Sequence, residues 1–293
     1  MKRRKFIQHS SLMALSIGVF GKIKWDGEKY VGTDPTTTDI LGPFYRPGAP
    51  FKTDLVQTGT KGDLLHFSGT VIGKDGKTPV KDALVEIWHC DETGTYDNTS
   101  DDYVYRASAK TAADGKYHFK SIYPVPYAVS AELTRPAHIH MRVSASGVQD
   151  LVTQVYFKGD KHIKEDSSAN DPRSLNRILE MTKNNKNELV VKFDVYLKEE
   201  YVLEAAAFKK IAGLYEMSDK SMVEFYKDGD QLFAKINGQI MEAMDYKGNN
   251  TFIGGLDYIT ATFELQSNGA TKVKVTIKDT KPVEITGTKT LKY

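Results

Sequence analysis

The sequence predicts an all-β protein in two parts: an antiparallel β-sandwich, then a small β-meander or barrel. Three observations carry this. Short apolar-alternating runs recur at close spacing from about Thr36 onward. Asp-Gly or Asn-Gly pairs, the chemistry of tight hairpins, punctuate them at 75–76, 114–115, 228–229, 237–238 and 268–269. An Ala-rich stretch at 203–209 divides the β-rich text, which places a boundary between 197 and 210. A length of 293 residues suits two domains. The expected organisation is a signal segment over 1–24, a sandwich over 36–200 and an accessory β-domain over 208–293.

The elements follow in order. Lys2-Arg3-Arg4-Lys5 and Phe6-Ile7 precede an apolar run over 10–21. As a helix that run covers about 18 Å, too short for a ~30 Å hydrocarbon core. A cationic head on a short apolar core reads as a secretory signal, and the paired arginines give it a twin-arginine character. The expectation is export to the periplasm or beyond, with no stable membrane span.

Phe67–Ile72 reads as a strand closed by the turn at 74–77. Ala83–Cys90 is a second strand, with Val85, Ile87 and His89 on one face and Leu84, Glu86 and Trp88 on the other. Lys116–Ile122 is a third. Pro124 and Pro126 force extended backbone ahead of Tyr127. Ala137–Val143, Leu151–Phe157 and Glu188–Leu197 complete the strands. One helix is expected over 172–183, with Asp171 as N-cap and Pro172 at its first position. A short linking helix is expected at 203–209. Six strands are expected beyond it: 213–216, 222–226, 232–236, 240–246, 258–265 and 273–277.

Composition excludes several functions. Net charge is only +2, with no basic stripe, so nucleic acid is not an expected partner. Cys90 is the single cysteine, which excludes an intrachain disulfide framework and multi-Cys metal sites. It reads as a small buried hydrophobe. All seven histidines lie at or before His162, so His-based metal chemistry belongs to the first domain.

The run Arg135-Pro-Ala-His138-Ile-His140 is the most informative stretch. Residues two apart on a strand share a face, so two imidazoles aim at one point while Ile139 turns away. That is half of a metal site. Taken alone it is equally an exposed His pair on an edge strand.

Three further pieces, in order, make the first half resemble an intradiol ring-cleavage dioxygenase over about residues 38–197. Leu41-Gly-Pro-Phe-Tyr45 resembles that family's Gly-Pro-aromatic entry motif. Trp88-His-Cys-Asp91-Glu-Thr-Gly94-Thr-Tyr96 resembles its Trp-x-x-Asp-x-x-Gly-x-Tyr segment. Asp114-Gly115-x-Tyr117-x-Phe119 with Pro124-x-Pro-Tyr127 resembles its turn, strand and second tyrosine. The resemblance implies iron(III) held by Tyr96, Tyr127, His138 and His140. It implies a catechol-type substrate opened between its hydroxyls with both atoms of O₂, giving a muconate-type diacid.

The chemistry of that donor set is coherent. Phenolate is a hard anion suited to a hard trivalent ion. Two phenolates and a hydroxide cancel its charge, which permits burial. The resemblance also implies that Tyr127 accepts substrate protons and that Arg135 stabilises developing negative charge. Gln154 would line the pocket, and Gly42, Pro43 and Phe44 the substrate mouth. Each has a plainer reading: a buried salt bridge for Arg135, a hydrogen-bonded strand residue for Gln154, a simple turn for 42–44. His89 reads as a core residue, His162 as a loop residue, and Asp91 as a turn-former ahead of Tyr96.

Two features depart from that family. Only about 15 residues separate the signal from the first motif, so the long helical segment of catechol-specific members is not expected. The C-terminal β-domain, which resembles small domains appended to bacterial hydrolases, is also an addition. Two other readings stay open: an exported transthyretin-like or adhesin-type binding sandwich, and a zinc or copper protein using His138 and His140 alone. A homo-oligomer is among the assemblies allowed.

Overall fold

The structure, a computed structural model, describes residues 23–25, 30–32, 35–201, 203–267, 270–278 and 281–291. All but the last two residues of the expected signal segment lie outside that set, as does the Asn268-Gly269 turn.

A short pair, β1 (Ile23–Trp25) and β2 (Tyr30–Gly32), precedes the sandwich. The sandwich strands are β3 (Leu64–Ile72), β4 (Leu84–Trp88), β5 (Arg106–Lys110), β6 (Lys116–Ile122), β7 (Tyr127–Ala128), β8 (Thr134–Arg135), β9 (His138–Ser144), β10 (Leu151–Phe157), β11 (Ile178–Leu179), β12 (Thr182–Lys183), β13 (Leu189–Lys192) and β14 (Val195–Tyr196). One sheet runs β11-β10-β9-β4-β5, and the other places β13 and β14 on one side of β3 and β6 on the other. Their facing sides form one core that includes Phe67, Val85, Ile87, Phe119, Ile139, Met141 and Val155.

The expected helix over 172–183 is corrected. Asp171 does cap it, accepting from the Arg173 N–H, and Pro172 does open it. It is a single 3₁₀ segment, Pro172–Arg177. It stops because Ile178 and Leu179 leave to pair in parallel with Tyr156 and Phe157. The expected strand 188–197 is likewise two strands, β13 and β14. Between them the Phe193 carbonyl accepts from the Tyr117 hydroxyl at 2.7 Å.

Residues 50–55 close one side of the sandwich. Ser108 on β5 donates to the Pro50 carbonyl at 2.9 Å and accepts from the Lys52 N–H. Lys120 on β6 does the same with Thr53 and Leu55. One ribbon therefore covers the edges of both sheets.

The linking helix α1 spans Ala205–Ile211. Beyond it β15 (Gly213–Met217), β16 (Met222–Asp228), β17 (Gln231–Ile236), β18 (Gln239–Tyr246), β19 (Thr251–Gly254), β20 (Ile259–Leu265), β21 (Thr271–Ile277) and β22 (Val283–Leu291) form a closed antiparallel barrel. Pairing of β15 with β22 closes it around Tyr215, Phe225, Phe252 and Phe263.

Strands β9 and β10 are buried along almost their whole length, on both faces. Ile139 and Met141 enter the sandwich core. His138, His140 and Arg142 face the other way, beside Tyr156, Gln154 and Val152 of β10. Residues 36–45 and the barrel cover that outer face. Asp39 N–H donates to the Val152 carbonyl at 2.9 Å. Arg142 reaches Tyr45 at 3.0 Å, Asp228 at 2.9 Å and Asp150 at 3.2 Å. Arg173 ties to Asp257 of the barrel at 2.8 Å.

Candidate metal centre

The covered face brings four donors together. β9 carries His138 and His140 side by side, ring centroids 4.8 Å apart. Tyr96 follows the turn that Asp91 builds by accepting from Thr93 and Thr95 N–H groups at 2.8 and 2.9 Å. Tyr127 opens β7 after the two prolines and pairs across β8 with Arg135. The Tyr96 ring lies 5.6 Å from that of Tyr127 and 6.0 Å from that of His140, and Tyr127 lies 5.6 Å from His138.

The hydrogen bonds fix one tautomer. His138 Nδ1 lies 2.6 Å from the Pro136 carbonyl, which can only accept, so Nδ1 carries the proton. Nε2 is therefore a lone pair, and it accepts from the Tyr96 hydroxyl at 3.2 Å. A carbonyl orienting the far nitrogen is how proteins prepare a ligating imidazole. His140 lies flat against Trp88, centroids 5.0 Å apart at 9°, and both of its buried ring nitrogens lack a hydrogen-bond partner. Buried polar atoms are rarely left so. Among the described residues no group of three or more His, Cys, Asp or Glu side chains forms a metal site. The donors here are imidazoles and phenols.

Electrostatics agree with ligation. Burial, then the Arg135 charge, pushes His138 well below its usual range. Burial and His138 do the same to His140. Both are neutral donors at pH 7. Burial and then Tyr127 hold the Tyr96 hydroxyl well above 10. Burial also raises Tyr127, against the opposing charge of Arg135. Neither phenol ionises unless a strong cation meets it.

Gly42 and Phe44 lie against the donors. Gly42 adopts φ +78°, and a Cβ there would sit 3.2 Å from His140 Cε1, so the position favours a residue without one. Phe44 stacks on Tyr96 at 4.3 Å and meets Tyr127 edge-on at 6.4 Å. Pro43 is exposed at the rim.

Arg135 and Gln154 are joined to each other beside the donors. Arg135 Nε donates to Asp166 at 2.6 Å and Nη2 to Gln154 Oε1 at 2.9 Å. Gln154 also accepts from the Tyr156 hydroxyl at 3.1 Å and donates to the Ile40 carbonyl at 2.7 Å. They form a buried network beside the donors, with Arg135 still close enough to bias Tyr127.

Sequence reasoning missed Asp166, Tyr156 and the buried Asp39–Arg177 pair. It also missed Arg106, which donates to the Phe44 carbonyl at 2.5 Å. No local motif marks any of them. His89 is a core residue, bonded to Ser121 at 2.8 Å, and His162 lies on a loop. Cys90 is buried, with Sγ 3.4 Å from the Val125 carbonyl.

Two tyrosines and two histidines converging on one covered face of a β-sandwich form a set of donors suited to a metal ion. Sequence comparison agrees: the family profile described as Dioxygenase matches residues 40–199. The chain belongs to the intradiol dioxygenase family. It is 34% identical over 178 residues to a chlorocatechol 1,2-dioxygenase of Rhodococcus opacus, covering 53% of this chain and 69% of that one. It is 38% identical over 150 residues to catechol 1,2-dioxygenase 2 of Acinetobacter lwoffii, covering 45% and 54%. Among solved structures, catechol 1,2-dioxygenase from Pseudomonas arvilla C-1 superposes with a TM-score of 0.51 at 25% identity, over 68% of this chain and 69% of that one. The chain thus spans between about half and two thirds of these relatives. The adhesin-type alternative is not favoured.

Proposed function

We propose that this chain cleaves a catechol-type substrate between its two hydroxyls, using Fe(III) held by Tyr96, Tyr127, His138 and His140. The observation that carries this is the convergence of two neutral imidazoles and two phenols around His140, whose buried nitrogens have no other partner. When bound, ferric iron supplies Lewis acidity toward a chelating catecholate and access to O₂ chemistry.

The remaining roles belong to the chain. Tyr96, buried against Phe44, stays in place as a fixed donor. Tyr127, half-buried at the end of the proline-bounded segment, is the phenol that would take a substrate hydroxyl proton. Arg135 keeps a positive charge beside Tyr127, lowering the cost of its phenolate form. Phe44, stacked on Tyr96, offers an aromatic surface suited to a flat ring beside the donors. Both oxygen atoms of O₂ enter the product, a muconate-type diacid.

The twin-arginine-like head supports an exported enzyme. Among the described residues no helix is long and apolar enough to cross a membrane.

The test is a visible spectrum with metal analysis, then oxygen uptake with a panel of ring-substituted catechols. A red, iron-loaded protein that converts a catechol to a ring-opened diacid is expected. A colourless protein that binds zinc, or a semialdehyde product, would overturn the reading.

A further inference from the structure

Residues 40–45 are gripped from two sides. Toward the donors, Gly42 lies against His140 and Phe44 against Tyr96. Toward the barrel, each remaining residue has its own partner. Ile40 packs on Gly255, where a Cβ would come within 2.8 Å of Cγ2 and φ is +46°. The Leu41 N–H lies close enough to the Glu242 carboxyl to favour its charged form. Gln239 Nε2 donates to the Pro43 carbonyl at 2.9 Å. Phe233 meets the Tyr45 ring at 5.8 Å, and Tyr45 in turn meets Trp88, which stacks on His140. One apolar cluster runs without a break from Tyr96 and Trp88 to Phe233 and Ala243 of the barrel.

We propose that the barrel is a positioning element of the substrate mouth: Gln239 and Glu242 hold the strap 40–45 at a fixed height over the donor cluster, and so set the opening an aromatic diol must enter. This rests on the ring-cleavage reading above. Glu242 is a specific pin. It is buried, lies beside Gly254 and Gly255 in a space that would not admit a Cβ, and also accepts from the Ala243 N–H at 3.1 Å. Burial pushes its carboxyl up to about 8, so at neutral pH it is largely the uncharged acid. A glutamine presents the same accepting oxygen at the same reach.

The test uses the full chain, measuring amide hydrogen exchange over 40–45 and steady-state kinetics with catechol. Gln239 is exposed, so Gln239→Ala does not threaten folding. Its loss should speed exchange over 41–45 about fivefold, the equilibrium worth of one hydrogen bond, and leave β9 and β10 unchanged. It should raise KM by a similar factor with kcat little altered, and leave the visible spectrum in place. Glu242→Ala should do the same more strongly, and Glu242→Gln should restore wild-type behaviour. Wild-type exchange in Gln239→Ala, faster exchange without a change in KM, or Glu242→Gln behaving like Glu242→Ala each overturns the proposal. If no catechol is turned over, the ring-cleavage reading fails and takes the mouth role with it. The exchange data then still decide whether the barrel pins the strap.

Discussion

The two phenols should weaken ferric binding by about two decades for each pH unit removed between pH 9 and 6.5, on top of the pH dependence of the aqueous ion itself. At pH 7 both phenols are protonated, because burial holds Tyr96 well above 10 and raises Tyr127 as well. Ionising either at that pH costs at least about 4 kcal/mol, three pH units at 1.36 kcal/mol each. Bound iron must offset that cost, and one proton leaves per tyrosinate. His138 and His140 lie well below 6.5 and add no slope in this window. Tyr96→Phe or Tyr127→Phe should each cut the slope by one. His140→Ala should weaken binding and keep the wild-type slope. The assay is competition against a chelator of known ferric affinity at constant ionic strength, followed by visible absorbance. Hydrolysis of the aqueous ion is common to every protein and cancels in the differences. Identical slopes for wild type and both Phe variants would refute tyrosinate ligation.

Asp166→Ala should lower stability by about 3–5 kcal/mol, because it strands the buried Arg135 charge. It also frees the Ser168 and Ala169 N–H groups that Asp166 caps. The melting temperature should fall by roughly 10 °C, and adding Arg135→Met should recover part of it; a loss under 1 kcal/mol by urea titration would contradict the buried-pair argument. Acid should also destabilise the fold through His89, which burial pushes down to about 4. The unfolded state takes its proton near 6.5, so this contribution is complete above that pH and is lost as pH falls toward 4, about 3 kcal/mol in all. Urea midpoints of wild type and His89→Leu at pH 7 and 4.5 should show a flatter acid limb in the variant.

Much of the site was legible because its donors sit on local signals. Alternation places His138 and His140 on one face whatever β9 packs against, and turn or proline breaks mark Tyr96 and Tyr127. The supporting charges were not legible. Asp39 and Arg177 are 138 residues apart, and only the path of segment 36–45 across the sheet joins them. Strand β5, Arg-Ala-Ser-Ala-Lys, alternates only through two alanines, a weak apolar signal, yet four of its five residues are buried. Its first residue, Arg106, is buried by bonds to Phe44, Asp97 and Asn98, which no periodicity reveals. Likewise β22 is rich in Thr and interrupted by Gly287, and forms because barrel closure needs an eighth strand. The helix over 172–183 failed for a similar reason: strand pairing to β10 overrode good helical start signals.

The ribbon at 50–55 has one more implication. Unpaired strand margins invite pairing with other chains, and this ribbon masks two of them, on β5 and β6, with a few backbone hydrogen bonds. The barrel, being closed, exposes none of its own. A single proteolytic nick near the exposed Phe51 would therefore uncover both margins at once, so a cut at the surface would turn the folded chain into a seed for aggregation.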